Sequence, residues 1–73
     1  MCVLRWTTEA YDRLERAVAD QARVSLRRRG TEYVVIAVEL VVKNRRETLI
    51  ATHPTTGENL AFVLEELETF EVL

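Results

Sequence analysis

The sequence predicts an α+β fold: one N-terminal helix followed by a bent antiparallel sheet of four or five strands, in a single domain over residues 1–73. Three observations carry this. Apolar spacing is helix-like before residue 23 and strand-like after it. Turn-forming residues recur at short intervals from Gly30 onward. One long segment, residues 31–42, is apolar on both faces, which marks a central strand.

The helix is expected over residues 7–22. Ala10, Tyr11, Leu14, Ala17, Val18 and Ala22 recur at three- and four-residue spacing and form one face. Thr7 or Thr8 supplies the N-cap oxygen, and Glu9 suits the first turn. Glu9 with Arg13, and Asp12 with Arg16, are i,i+4 pairs of favourable polarity. Half of the stripe is alanine, so this helix must lie on something larger than itself.

Residues 23–73 are expected to be sheet. Val24 and Leu26 face one way, and Arg23, Ser25 and Arg27 the other. Gly30 serves a turn that needs positive φ. In the next strand Val34, Ile36, Val38, Leu40 and Val42 form a wholly apolar face, and Tyr33, Val35, Ala37, Glu39 and Val41 a mixed one. Residues 43–46 make a polar turn. A third strand spans 47–53, with Leu49 and Ala51 on one face. His53-Pro54-Thr55-Thr56-Gly57 is a turn, and residues 58–65 are the next strand. Residues 65–68 form a short turn, and residues 70–73 a last short strand. A short, strongly bent antiparallel sheet with one covering helix points to a small barrel of the SH3 or Sm type.

Composition narrows the function classes. A chain of this length buries only about 60–65% of its unfolded surface, so its stability is marginal unless something is added. Cys2 is the single cysteine, which rules out an internal disulfide. Cys2, His53 and the carboxylates lack the paired local spacing of a zinc site. Oligomerisation is the remaining addition. No apolar run is long enough to span a bilayer. The first ten residues lack the basic-then-apolar order of a signal segment, so a cytoplasmic location is expected. No Gly-rich phosphate loop, metal motif or nucleophile–base set is present. The chain therefore reads as non-enzymatic, with no catalytic residue, metal ligand or cofactor assigned.

Charge is divided along the chain. All ten bases lie at or before Arg46, against six acids there, while residues 47–73 hold six acids and no base. Such a split suggests one basic and one acidic side, or ends that attract one another within or between chains.

Several residue strings, taken in order, resemble a known family. Leu14 and Ala17 in the helix lead to Val24-x-Leu26-x-Arg28-Arg29 and a long second strand. Arg46–Ala51, Phe62–Leu67 and the terminal Phe70-Glu71-Val72-Leu73 follow. This order resembles the WYL domain, a bacterial Sm-like barrel found in transcription regulators. The family's Trp-Tyr-Leu falls on Glu47-Thr48-Leu49, where only the leucine is kept. Its F-x-L-D-R-I segment falls on Phe62–Leu67, placing Glu66 where the family has its ligand-binding arginine. The resemblance implies a regulatory module that senses nucleic acid or a nucleotide.

The candidate binding residues are Arg27, Arg28 and Arg29, with Lys43, Arg45 and Arg46 at the other end of the second strand. Were that strand straight, the two groups would stand about 35–40 Å apart at about 3.3 Å per residue. Phosphate recognition uses such side chains, and single-strand readers add aromatics, for which Tyr33 is the nearest candidate. The competing reading is a set of solvated turn residues that keep strand edges soluble. His53 is an accessory candidate, against the reading that its turn is purely structural. Glu65, Glu66, Glu68 and Glu71 read as a solvated face rather than a calcium loop. Trp6 is expected to pack near the helix start or at a dimer contact. The primary functional expectation is an interaction module that forms homo-oligomers or docks a protein partner through strand edges and complementary charge. The alternative is a nucleic-acid- or nucleotide-binding regulatory module using the arginine clusters. A membrane partner is not expected.

Overall fold

A computed structural model describes residues 6–73 of the chain. The Cys2 thiol lies outside the described residues. Within them the order is α1 (Thr8–Asp20), β1 (Arg23–Arg28), β2 (Thr31–Lys43), β3 (Arg46–Thr52), β4 (Asn59–Val63), a 3₁₀ turn (Leu64–Glu66) and β5 (Leu67–Val72). The expected α+β architecture is present, with five antiparallel strands in the order β4-β3-β2-β1-β5. The sheet curls like a small barrel but does not close, and β4 and β5 form its two edges.

The helix begins where Thr7 caps it, its hydroxyl accepting the Ala10 N–H at 3.1 Å. It ends at Asp20, two residues earlier than the periodicity extends, because Gln21 turns left-handed. The Ala22 N–H still reaches the Ala17 carbonyl at 2.8 Å, which closes the last turn and releases the chain into β1. Ala10, Leu14 and Ala17 are buried, and the helix rests mainly on β2 with a smaller contact to β5. That placement supplies the support its alanine-rich stripe requires.

β2 has to bend. Thirteen extended residues would reach about 40 Å, yet the longest extent of the molecule is 29 Å. The bend is assisted by a bulge: Ala37 pairs with Ala51 and Glu39 with Ile50, leaving Val38 as the extra residue. The mixed face of β2 turns out to be the core face before the bulge. Val35 and Ala37 are fully buried and Tyr33 packs on the core, while Val34, from the wholly apolar face, is 43% exposed. The extra residue then shifts the alternation, so Leu40 joins the core. Val42, next to last in the strand, is 70% exposed.

The remaining core follows the expected alternation. Val24, Leu26, Leu49, Ala51 and Phe62 are all buried. The fourth strand is shorter than expected, ending at Val63, because Leu64 buries itself in the 3₁₀ turn rather than continuing the strand. The last strand starts earlier than Phe70. Leu67 is buried and pairs with Arg28, and a bulge at Glu68 restores the register so that Thr69 faces Arg27. The third strand, Arg46–Thr52, is displaced by one residue from its expected bounds.

Both hairpins of the interior strands use two-residue loops. Arg29 and Gly30 have φ of 51° and 77°, and Asn44 and Arg45 have φ of 51° and 65°. Two consecutive positive φ values define the type I′ turn, whose twist matches that of the flanking strands.

Candidate functional site: two basic turns, two sheet edges

The arginines grouped in sequence separate in space. Alternation along β1 puts Arg28 on the same side as Val24 and Leu26, and the side chain folds inward over the end of the curled sheet. Its guanidinium carbon lies 5.0 Å from the centre of the Phe62 ring and 5.5 Å from that of Tyr33. One guanidinium nitrogen donates to the Ala61 carbonyl of β4 at 3.4 Å. Phe62 and Tyr33 meet edge to face at 5.1 Å. Arg28 and Tyr33 therefore sit in a structural stack. Arg27 and Arg29 are exposed, with Arg27 opposite Glu32 on β2 and Thr69 on β5. The turn itself is fastened, since the Gly30 N–H donates to a Glu68 carboxylate oxygen at 3.0 Å. The bulge in β5 is what aims Glu68 there.

The other turn lies at the far end of β2. Lys43, Asn44, Arg45 and Arg46 are all exposed. On the outer side of the sheet Lys43, Asn44 and Arg46 join Thr48, Ala61 and Val63 around a groove of about 540 Å³. Hence the two basic groups do not form one patch. Lys43 and Arg46 share a concavity, and Arg27 and Arg29 stand apart from it.

The His53 segment is a hydrogen-bonded turn. The ring Nδ1 of His53 accepts the backbone N–H of Thr55 at 3.2 Å and of Thr56 at 3.4 Å. The Gly57 N–H donates to the His53 carbonyl at 2.9 Å, and the Glu58 N–H to the Thr56 hydroxyl at 3.2 Å. Gly57 has φ of 74°, which a side chain would strain. With Nδ1 serving the turn, only Nε2 remains to face outward.

The two edges differ in their surroundings. β4 carries no charge within Asn59–Val63, but Glu58 precedes it and Glu65 follows shortly after. β5 runs beside α1. Arg13 with Phe70, Glu71 and Val72 lines one hollow, and Arg13, Arg16, Ala17, Asp20, Ala22 and Val72 line a second. Every base of the sheet strands lies on the interior strands and their turns; neither edge strand holds one.

A further constellation has no counterpart in the sequence reading. Trp6, Thr7, Thr8, Tyr11, Asp12 and Glu47 surround an open cavity of about 420 Å³ at the start of α1. Trp6 packs near the helix start, as expected: its indole N–H donates to the Leu64 carbonyl at 2.8 Å, and its ring lies 5.7 Å from that of Phe70. The hydrogen bond from the Tyr11 hydroxyl to the Glu47 carboxylate, followed by burial and by the charges of Glu47 and Glu15, pushes the Tyr11 pKa up to about 12. Thirty-six positions separate the two residues in sequence, so only folding brings them together. Among the described residues, no group of three or more His, Cys, Asp or Glu is placed to hold a metal ion. No helix among them is long and apolar enough to cross a membrane.

No family model, curated protein or solved structure matches this chain.

Proposed function

We propose that this chain is a non-enzymatic interaction module whose copies associate by strand addition, β4 of one copy lying along β5 of the next. The observation that carries this reading is the open sheet, whose two edges come from the acidic, base-free part of the chain. Exposed edges are usually guarded by lysine, proline or a covering element; β4 has neither residue type. The flanks are complementary, with Glu58 and Glu65 beside β4, and Arg13 and Arg16 beside β5. A contact between two different edges is heterologous, so it generates a ring or an open array rather than an isolated pair. A partner protein that offers an acid-flanked strand would use the same edge of β5.

Ala61 gives the test. Its carbonyl accepts from Arg28 rather than from β3, so its N–H also points to the open edge, because both groups of one strand residue point the same way. The Arg28 contact is long for a hydrogen bond and yields to an incoming strand. Ala61→Pro removes an edge donor and no ladder bond. Sedimentation velocity between about 1 and 100 µM is expected to show a dimer or larger species for the unaltered chain and a folded monomer for Ala61→Pro. A folded, unaltered chain that stays monomeric throughout overturns the proposal.

The second reading, a nucleic-acid or nucleotide binder, is favoured by the groove of Lys43, Asn44, Arg46 and Thr48 and by the resemblance to the WYL domain. It predicts that single-stranded RNA or DNA shifts the amide signals of residues 43–48, and that moderate salt abolishes the shifts. Arg46→Ala should weaken that binding more than Arg27→Ala. Absence of shifts at low salt removes this reading.

A further inference from the structure

The cavity at the start of α1 has an unusual lining for its position. A helix N-terminus attracts anions, with the strength of roughly half a positive charge. Among the described residues, two carboxylates, Asp12 and Glu47, and no base line the cavity. Their combined charge exceeds the helix contribution and reverses the local preference. Two aromatic rings, Trp6 and Tyr11, complete the walls. Trp6 is held in place by its bond to the Leu64 carbonyl and its packing on Phe70, and Tyr11 packs against the core. The Glu47 carboxylate, exposed at the rim, has acceptor capacity for a ligand. Aromatic faces with carboxylates beside them suit an organic cation, which gains from the rings and the charges together. A volume of about 420 Å³ fits a guanidinium or substituted ammonium with part of its aliphatic stem.

We infer that the cavity bounded by Trp6, Tyr11, Asp12 and Glu47 is a binding site for an organic cation, a guanidinium or an alkylated ammonium carried on a short stem. The lining residues lie on neither β4 nor β5, but Trp6 packs on Phe70 of β5, so the Ala61→Pro monomer is used to keep edge association out of the readout. Trp6 is the single tryptophan of the chain, so in the Ala61→Pro monomer its fluorescence reports on this cavity. The experiment titrates Ala61→Pro protein with N-acetyl-arginine amide and, separately, with choline chloride. Sodium chloride and sodium N-acetylglycinate serve as controls at matched ionic strength. The expected result is a saturable Trp6 response to one or both cations in the millimolar range, with none to the controls. The arm that binds more tightly tells guanidinium from quaternary ammonium. Asp12→Asn and Glu47→Gln should each weaken binding about three- to fivefold, the scale of a half-exposed charge contact. Asp12 is exposed, so Asp12→Asn remains informative if the Glu47 variant fails to fold. Equal responses to sodium chloride, silence in both cation arms, or unchanged affinity in folded Asp12→Asn protein overturns the inference.

Discussion

The two ends of β2 close with turns of the same geometry and similar chemistry, yet only one is fastened. At the Thr31 end, Arg28 lies over Phe62 and Tyr33, and Glu68 accepts the Gly30 N–H. At the Lys43 end, Val42 is 70% exposed and the four residues after it are exposed too. Each turn is a basic cluster in sequence. The difference comes from the bend in β2 and from strand alternation. Together these carry Arg28 inward over an aromatic floor and leave Lys43 and Arg46 on an outer groove. A run of arginines is therefore not one kind of site: its members are divided between the fold and the surface by which face of the strand each occupies.

The largest expected effect breaks this contrast directly. Arg28→Ala removes contacts to two rings and a hydrogen bond to Ala61, together about 1–2 kcal/mol for a half-buried side chain. Arg46→Ala removes an exposed side chain at the start of β3 and should stay within about 0.5 kcal/mol. Urea denaturation of both variants compares them, with stability read from the midpoint at unchanged slope. A double-mutant cycle pairing Arg28→Ala with Phe62→Leu should give a coupling of about 0.5–1 kcal/mol. Equal midpoints for Arg28→Ala and Arg46→Ala would mean that the stack contributes nothing and the two ends are alike.

That division was partly legible in the sequence. Continuing the alternation of Val24 and Leu26 by one step assigns Arg28 to the core side of β1, and the aromatic residues able to receive it lie in strands already identified. The helix, the switch of period at Arg23 and both hairpin turns were legible for the same reason, since each rests on local spacing. The inner face of β2 was not. Both of its faces are apolar, so hydrophobicity does not choose between them. The choice falls to packing: Val35 and the small Ala37 are fully buried in the core, while Val34 and Ile36 lie on the opposite face and stay partly exposed. The bulge at Val38 left no mark in composition. The Trp6, Tyr11 and Glu47 cavity was illegible as well, because its residues served other readings: helix stripe, strand start and N-terminal packing.

The smaller effect sharpens the comparison from the unfastened end. Arg45 holds φ of 65°, a region that costs a side-chain-bearing residue roughly 1 kcal/mol and that glycine enters freely. The equivalent position of the fastened turn is Gly30, which relieves this cost. Arg45→Gly gives the second turn the Asn-Gly pair that type I′ geometry favours most. Glycine also loses more backbone entropy on folding, so the net gain is about 0.5 kcal/mol, read as a raised urea midpoint. Stability alone thus favours glycine at position 45, yet the chain carries arginine there. The same variant then separates the two readings of the loose end. If Arg45→Gly is more stable and still associates as the unaltered chain does, the arginine has no part in edge pairing. Its exposed position beside Lys43 and Arg46 then turns attention to the groove that these two residues line. If association weakens as stability rises, the hairpin tip itself belongs to the contact between copies.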